Sequence, residues 1–225
     1  MVSSANFPLL AQKINELKVY QHPECKDLEL DQSRSSNTNG STSSSGVNAQ
    51  VLGTVIETIK NKPEMAKVTF QVQTQWQNGD GFKITSTGKN FQIGGQTIER
   101  QESYTLASDY PDEMGGMNKG PTVCEMCMAS IGSCISQTIV AYATMIGVQL
   151  DSIRIQTEGE VDIRGFTGVS EDVRPGAQEF RMDIHLESKT ASKEQLEKLY
   201  ELGNRFSPAI DTMKHGTTIK TTYKR

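Results

Sequence analysis

One stretch limits what this chain can fold into: Met117 to Leu150, reading MNKGPTVCEMCMASIGSCISQTIVAYATMIGVQL. Gly120-Pro121 is a turn and helix-start signal, because proline fits the first helical turn, where its missing N–H costs nothing. A run of apolar and small residues then continues to Gly147, a natural helix stop. At 1.5 Å per residue, a helix over that run would be about 40 Å long. It has no clear polar face, so it is expected to be buried nearly all round. Three of the four cysteines lie inside it: Cys124, Cys127 and Cys134.

A chain of 225 residues suits one large domain, or one domain with an extension. That length supports a core without disulfide staples. Cysteines clustered in one helix do not read as a secreted disulfide framework. No basic N-terminal region precedes an apolar one, so no secretory signal is read. No run reaches about 18 apolar residues, the length that spans a bilayer. Even the long helix is interrupted by Glu125, Ser133, Ser136, Gln137 and Thr138, so no membrane span is expected. Net charge is −4 with no basic cluster, which argues against a nucleic-acid partner. The expectation is a reduced, soluble, cytoplasmic protein.

Leu9, Leu10, Ile14 and Leu17 fall at helical spacing after Pro8. Residues 32–46, QSRSSNTNGSTSSSG, carry almost no apolar side chain and read as a flexible linker. Val47–Lys62 reads as a second helix with Val51, Leu52, Val55, Ile56 and Ile59 on one face, ended by Pro63. The period then changes from 3.6 to 2. Val68, Phe70, Val72, Thr74 and Trp76 alternate with polar residues as one half-buried strand. Asn78-Gly79-Asp80-Gly81 supplies a hairpin turn, and Phe82 and Ile84 begin the returning strand. A further strand holds Phe91 and Ile93 before Gly94-Gly95, and another covers Glu99–Leu106. Ser108–Lys119 is a loop.

Past the long helix, Ile153, Ile155, Val161 and Ile163 are spaced as one long strand, followed by a loop over Arg164–Gly176. Phe180, Met182, Ile184 and Leu186 form another strand. Ser192-x-x-Gln195 is a capping box that opens a helix carrying Leu196, Leu199 and Leu202, with Gly203 as its stop. Ser207-Pro208 starts a short turn or helix to Met213, and Ile219, Thr221 and Tyr223 suggest a final edge strand. Strands grouped on either side of a helix point to an α+β fold with an antiparallel or mixed sheet. The domain reading is a helical extension over 1–66, with its linker at 32–46, and a folded domain over 67–225.

The cysteines admit three readings. They pack as small hydrophobes in a core. Alternatively, Cys124-x-x-Cys127 has metal-ligand spacing, but a zinc site wants a second such pair, and His22, His185 and His215 are scattered. No metal site is therefore expected. The third reading is thiol chemistry. Cys127 and Cys134 share a helical face, but two turns set them about 10 Å apart, beyond disulfide reach. Cys134 lies more than three turns inside the helix, where that helix's own dipole has faded. A reactive thiolate there needs help from elsewhere in the fold.

The segment GPTVCEMCMASIGSCISQTIVAYATMIGVQL resembles the core of the OsmC/Ohr family, the osmotically inducible and organic hydroperoxide resistance proteins. SDYPDEMGGMNKGPT upstream, GEVDIRGFTGVSEDVRPG downstream and the SPAIDTM turn extend it over roughly Val68–Tyr223. The resemblance implies an intertwined homodimer, with β-sheets wrapped around long central helices. It also implies a peroxidatic cysteine on the helix that attacks the peroxide O–O bond, with no cofactor. A resolving cysteine in a Cys-Pro turn and a dithiol reductant then complete the cycle. An arginine from the first hairpin and a helix-start glutamate hold the thiolate ready.

Position by position, the resemblance gives Cys134 the peroxidatic place and Glu125 the glutamate. Ser207 stands where the resolving cysteine would be, which leaves Cys127, Cys124 or an external thiol for that role. The hairpin NGDGFK has no arginine, and Lys83 and Arg100 are the substitutes on offer. Two functions follow from the resemblance. One is a thiol-dependent organic hydroperoxide reductase using Cys134. The other is a non-catalytic dimer that binds a small apolar ligand in its interfacial pocket.

Overall fold

The computed structural model describes residues 46–224. The helix expected around Leu9–Leu17, the linker before Gly46, and Cys25 lie outside the described residues. The rest is α+β, and it divides into two compact units that interleave along the sequence.

The helix read from Val47–Lys62 is α1, Ala49–Asn61. Pro63 ends it and opens a single 3₁₀ turn, Pro63–Ala66. One unit, Leu52–Ala129 with Gly159–Phe180, carries a four-stranded antiparallel sheet. Its strands are β1 (Val68–Phe70), β2 (Gln73–Trp76), β3 (Ile84–Ile93) and β4 (Gln96–Ser108). β1 and β2 pair along one edge of β3, and β4 along the other.

The expected single strand through Val72 is therefore two. The break lies opposite the register irregularity of β3 between Gly88 and Asn90, so a straight strand could not stay paired past it. The side chains of this strand pair are exposed, not half-buried as its alternation suggested; Phe70 is 68 % exposed. Ile84 and Phe91 belong to one long strand, not two, while Phe82 sits in the turn before it. Glycine supplies the positive φ at both hairpins, at Gly79 (93°) and Gly81 (58°) and again at Gly94 (56°) and Gly95 (81°).

The long helix is α2, Val123–Ile146, with Gly147 left-handed at its end (φ 73°). At 24 residues it spans about 36 Å. It is not buried all round in the single chain. Ile131, Ile135, Ile139, Ala143 and Ile146 form one buried stripe, while Ser133 and Gln137 face outward. By length and composition alone α2 would suffice to cross a bilayer, contrary to the reading from its polar interruptions. Its isoleucine stripe is instead core.

The other unit holds Ser130–Glu158 and residues 181–224, with residues 46–51. Its helices are α4 (Lys193–Phe206) and α5 (Pro208–His215). The strands β5 (Ser152–Glu160) and β6 (Glu179–Glu187) pair with each other. Asp151 N–H donates to Glu187 C=O and Gln178 N–H to Glu160 C=O, each at 2.8 Å, which makes the pair antiparallel. β5 stops at Glu160, so Val161 and Ile163 are not strand residues. Asp162 instead accepts the N–H of Arg164 and caps the short α3, Ile163–Thr167, where the end of a strand and the start of a loop were expected.

The capping box at α4 forms as expected, with Gln195 N–H donating to Ser192 Oγ and Ser192 N–H to Gln195 Oε1. Gly203 does not stop the helix. A Cβ there would lie 2.4 Å from Cγ1 of Ile139, so glycine lets the α4 backbone rest directly on the α2 stripe. Residues 217–224 form no strand, and Ile219 and Tyr223 are 82 % and 84 % exposed. Apolar alternation cannot make an edge strand where, among the described residues, no neighbouring strand offers its hydrogen bonds.

Candidate functional site

In the unit that carries α4 and α5, Cys134 lies on α2 between the buried Ile131 and Ile135, itself half-buried. The corner between the two helices meets it. Ser207, fully buried, caps α5 by accepting the N–H of Ile210 at 3.5 Å. Pro208 takes the first helical position, where no donor is missed. Ala209 comes next, and its N–H has no intrahelical acceptor. It donates to Cys134 Sγ at 3.4 Å. The sulfur thus faces the first turn of a helix other than its own. The sequence flagged Ser207-Pro208 as a helix start but not Ala209, whose only signal was its place just after that proline.

Glu125 serves the start of α2. Its carboxylate accepts the N–H and hydroxyl of Thr122 at 2.7 and 2.8 Å, and its own N–H donates to Thr122 Oγ1 at 3.2 Å. This is a reciprocal cap. The Thr122 N–H, then its hydroxyl, hold the Glu125 carboxyl below the ordinary range. Nine residues turn a helix by about 180° net, so Glu125 and Cys134 leave opposite faces of α2. Cys124 and Cys127 are half-buried in the first two turns, and no disulfide joins any of the three described cysteines. The helix runs unbroken from Cys127 to Cys134 and keeps them about 10 Å apart. Arg100, on β4, lies over the rings of Phe91 (5.1 Å) and Tyr104 (5.6 Å). Lys83 follows the first hairpin turn, its N–H bonded to Asp80 C=O. Among the described residues no group of three or more ligating side chains comes together for a metal.

The sheet unit contains a cleft of about 420 Å³ that the sequence did not reveal. Trp76, Phe82, Tyr110, Val123 and Phe166 line it. Tyr110 packs edge-on against Phe82 at 5.2 Å and tilted against Phe166 at 6.0 Å. Asp109 forms part of the wall and is 3 % exposed. Burial pushes its carboxyl up. The N–H groups of Lys119, Tyr110 and Met117 outweigh that and, with the Lys119 charge, hold it below the ordinary range. One carboxylate thereby fixes the loop leading into α2.

A family model described as OsmC-like protein matches residues 116–222. That segment belongs to the OsmC-like family. It contains Cys124, Glu125, Cys127, Cys134 and Ser207, whereas Lys83 and Arg100 precede it. Solved structures similar to this chain include an OsmC-like protein from Mycoplasma pneumoniae, 14 % identical with a TM-score of 0.48, covering 65 % of this chain and 88 % of that one. An organic hydroperoxide resistance protein OsmC from Legionella pneumophila is 14 % identical with a TM-score of 0.43, covering 66 % and 90 %. An OsmC-like hydroperoxide resistance protein from Jannaschia sp. CCS1 is 17 % identical with a TM-score of 0.37, covering 70 % and 94 %. No curated protein matches the chain. The assignment of the OsmC-like segment rests on the family match.

Proposed function

We propose that the protein is a thiol-dependent organic hydroperoxide reductase with Cys134 as its peroxidatic residue. The observation that carries this is the Ala209 N–H aimed at Cys134 Sγ from the first turn of α5. The thiolate is the form that attacks, and that N–H is placed to donate to the attacking sulfur. The thiolate attacks the O–O bond of an organic hydroperoxide. The alkoxide leaves, takes up a proton and departs as the alcohol, and the sulfur becomes a sulfenic acid. An external dithiol then returns the thiol: its first sulfur displaces water to give a mixed disulfide, and its second closes the reductant's own disulfide. Ser207 cannot form a disulfide, and the unbroken helix keeps Cys127 and Cys124 away from Cys134, so the resolving thiol comes from outside. Glu125 caps the start of α2 through Thr122. No cofactor takes part.

The working form is a homodimer in a reducing, cytoplasmic setting. Support for it comes from apolar side chains that a single chain leaves in solvent on the sheet unit, among them Val68, Phe70, Val72 and Leu106. Purified protein with a dithiol should consume cumene hydroperoxide, and Cys134→Ser should abolish turnover. Wild-type protein that shows no turnover with any of several dithiols sinks the proposal.

A second reading is favoured by the aromatic cleft of Trp76, Phe82, Tyr110 and Phe166: a non-catalytic dimer that holds a small apolar ligand. Native mass spectrometry showing a retained ligand, with Cys134 inert to iodoacetamide in the folded protein, would select it over the first.

A further inference from the structure

Cys124 and Cys127 have no part in the activity proposed above, yet their placement suits chemistry of their own. Both are half-buried and belong to the first two turns of α2, three residues apart. Residues at that spacing hold their Cβ atoms about 5–6 Å apart on one side of a helix. A disulfide needs about 3.5–4.5 Å, so closing one asks the turn to tighten by about 1–2 Å. The start of a helix yields more easily than its middle. The cap residue, Thr122, is only two positions before Cys124, and Val123 and Glu125 on either side of Cys124 are exposed. Cys134 is two turns beyond Cys127 on an unbroken helix and out of reach. Geometry therefore pairs Cys124 with Cys127. A structural zinc site would need two further ligands, and no third ligating side chain joins them among the described residues.

We propose that Cys124 and Cys127 form a separate thiol–disulfide couple at the start of α2, oxidised by a low-molecular-weight disulfide of the glutathione type. Cys124 loses its proton to solvent, and its sulfur attacks one sulfur of the small disulfide. That S–S bond breaks, and one small thiolate leaves and is protonated. Cys127 then loses its proton and attacks the sulfur of Cys124, which expels the second small thiol and closes the ring. Two protein thiols and one small disulfide become one protein disulfide and two small thiols. A small dithiol runs the sequence backwards.

The test uses the full chain carrying Cys25→Ser and Cys134→Ser, so that only these two thiols remain and peroxide chemistry at position 134 plays no part. Cys134→Ala replaces the serine variant if the latter does not fold. The folded protein is treated with oxidised glutathione and its intact mass is read. The expected product is two hydrogens lighter, carries no glutathione and is restored by dithiothreitol. Adding Cys127→Ser should trap one glutathione on Cys124. Two glutathione adducts, two unreacted thiols or a disulfide-linked dimer would each overturn the proposal.

Discussion

The backbone N–H of Ala209 lies 3.4 Å from the sulfur of Cys134, although 75 residues separate them in the chain. The contact joins the middle of α2 to the first turn of α5. It answers the difficulty that the dipole of α2 fades long before position 134. The N–H is one that α5 itself leaves unused.

Removing that donor should slow the sulfur. Ala209→Pro deletes the N–H at a helical position that tolerates proline. A hydrogen bond to a charged group contributes about 1.5–3 kcal/mol, so the rate of Cys134 with cumene hydroperoxide should fall by roughly tenfold or more. Stopped-flow loss of peroxide measures the rate, and circular dichroism checks that the fold is kept. A variant as fast as wild type would show that the contact does not activate the thiol.

Gly203 is needed for space, not for a turn. Gly203→Ala gains about 1 kcal/mol of helix propensity, but its Cβ would sit 2.4 Å from Ile139 Cγ1. Overpacking of that kind costs about 1–3 kcal/mol. The unfolding temperature should fall, and Gly203→Val should lower it further. Combining Ile139→Ala with Gly203→Ala should cost less than the sum of the two single losses, because the two sites share one contact.

The cap at the start of α2 makes stability depend on pH. Thr122→Ala should cost about 1 kcal/mol at neutral pH. The Glu125 carboxyl titrates lower in the folded chain than its ordinary value of 4.5. Its contribution is therefore complete above that ordinary value and is lost as pH falls through the folded one. Thermal unfolding followed from neutral pH into the acid range should show this loss in wild type. Glu125→Gln should keep an acceptor for Thr122 and flatten that part of the curve. It should also leave peroxide turnover intact, since Glu125 and Cys134 point from opposite faces of α2.

Asp109 holds its loop by three backbone N–H groups, from Tyr110, Met117 and Lys119. Asp109→Ala should leave those donors unpaired and loosen residues 109–119. Amide exchange should accelerate there before it does in the isoleucine stripe of α2. Trp76, the only tryptophan, lines the same cleft, so its emission should change in this variant.

Much of the local structure was legible in the sequence because its causes are local. Gly120-Pro121 and Gly147 bracket α2, Ser192 and Gln195 cap α4, and the glycines of NGDG and Gly94-Gly95 turn the hairpins, each through chemistry within a few residues. Alternation located β6 for the same reason. The OsmC-like segment was visible too, because its pattern is continuous in the chain.

Contacts between distant residues decided the rest. Gly203 reads as a helix stop until Ile139 is seen against it, and Ile219 and Tyr223 read as a strand until no neighbour is found to pair them. The irregularity at Gly88–Asn90 breaks a strand whose own residues alternate without interruption. Only the tertiary structure brought the amide of Ala209 to the sulfur of Cys134. A backbone N–H carries no side-chain signature, and its value depends on what the fold places opposite it.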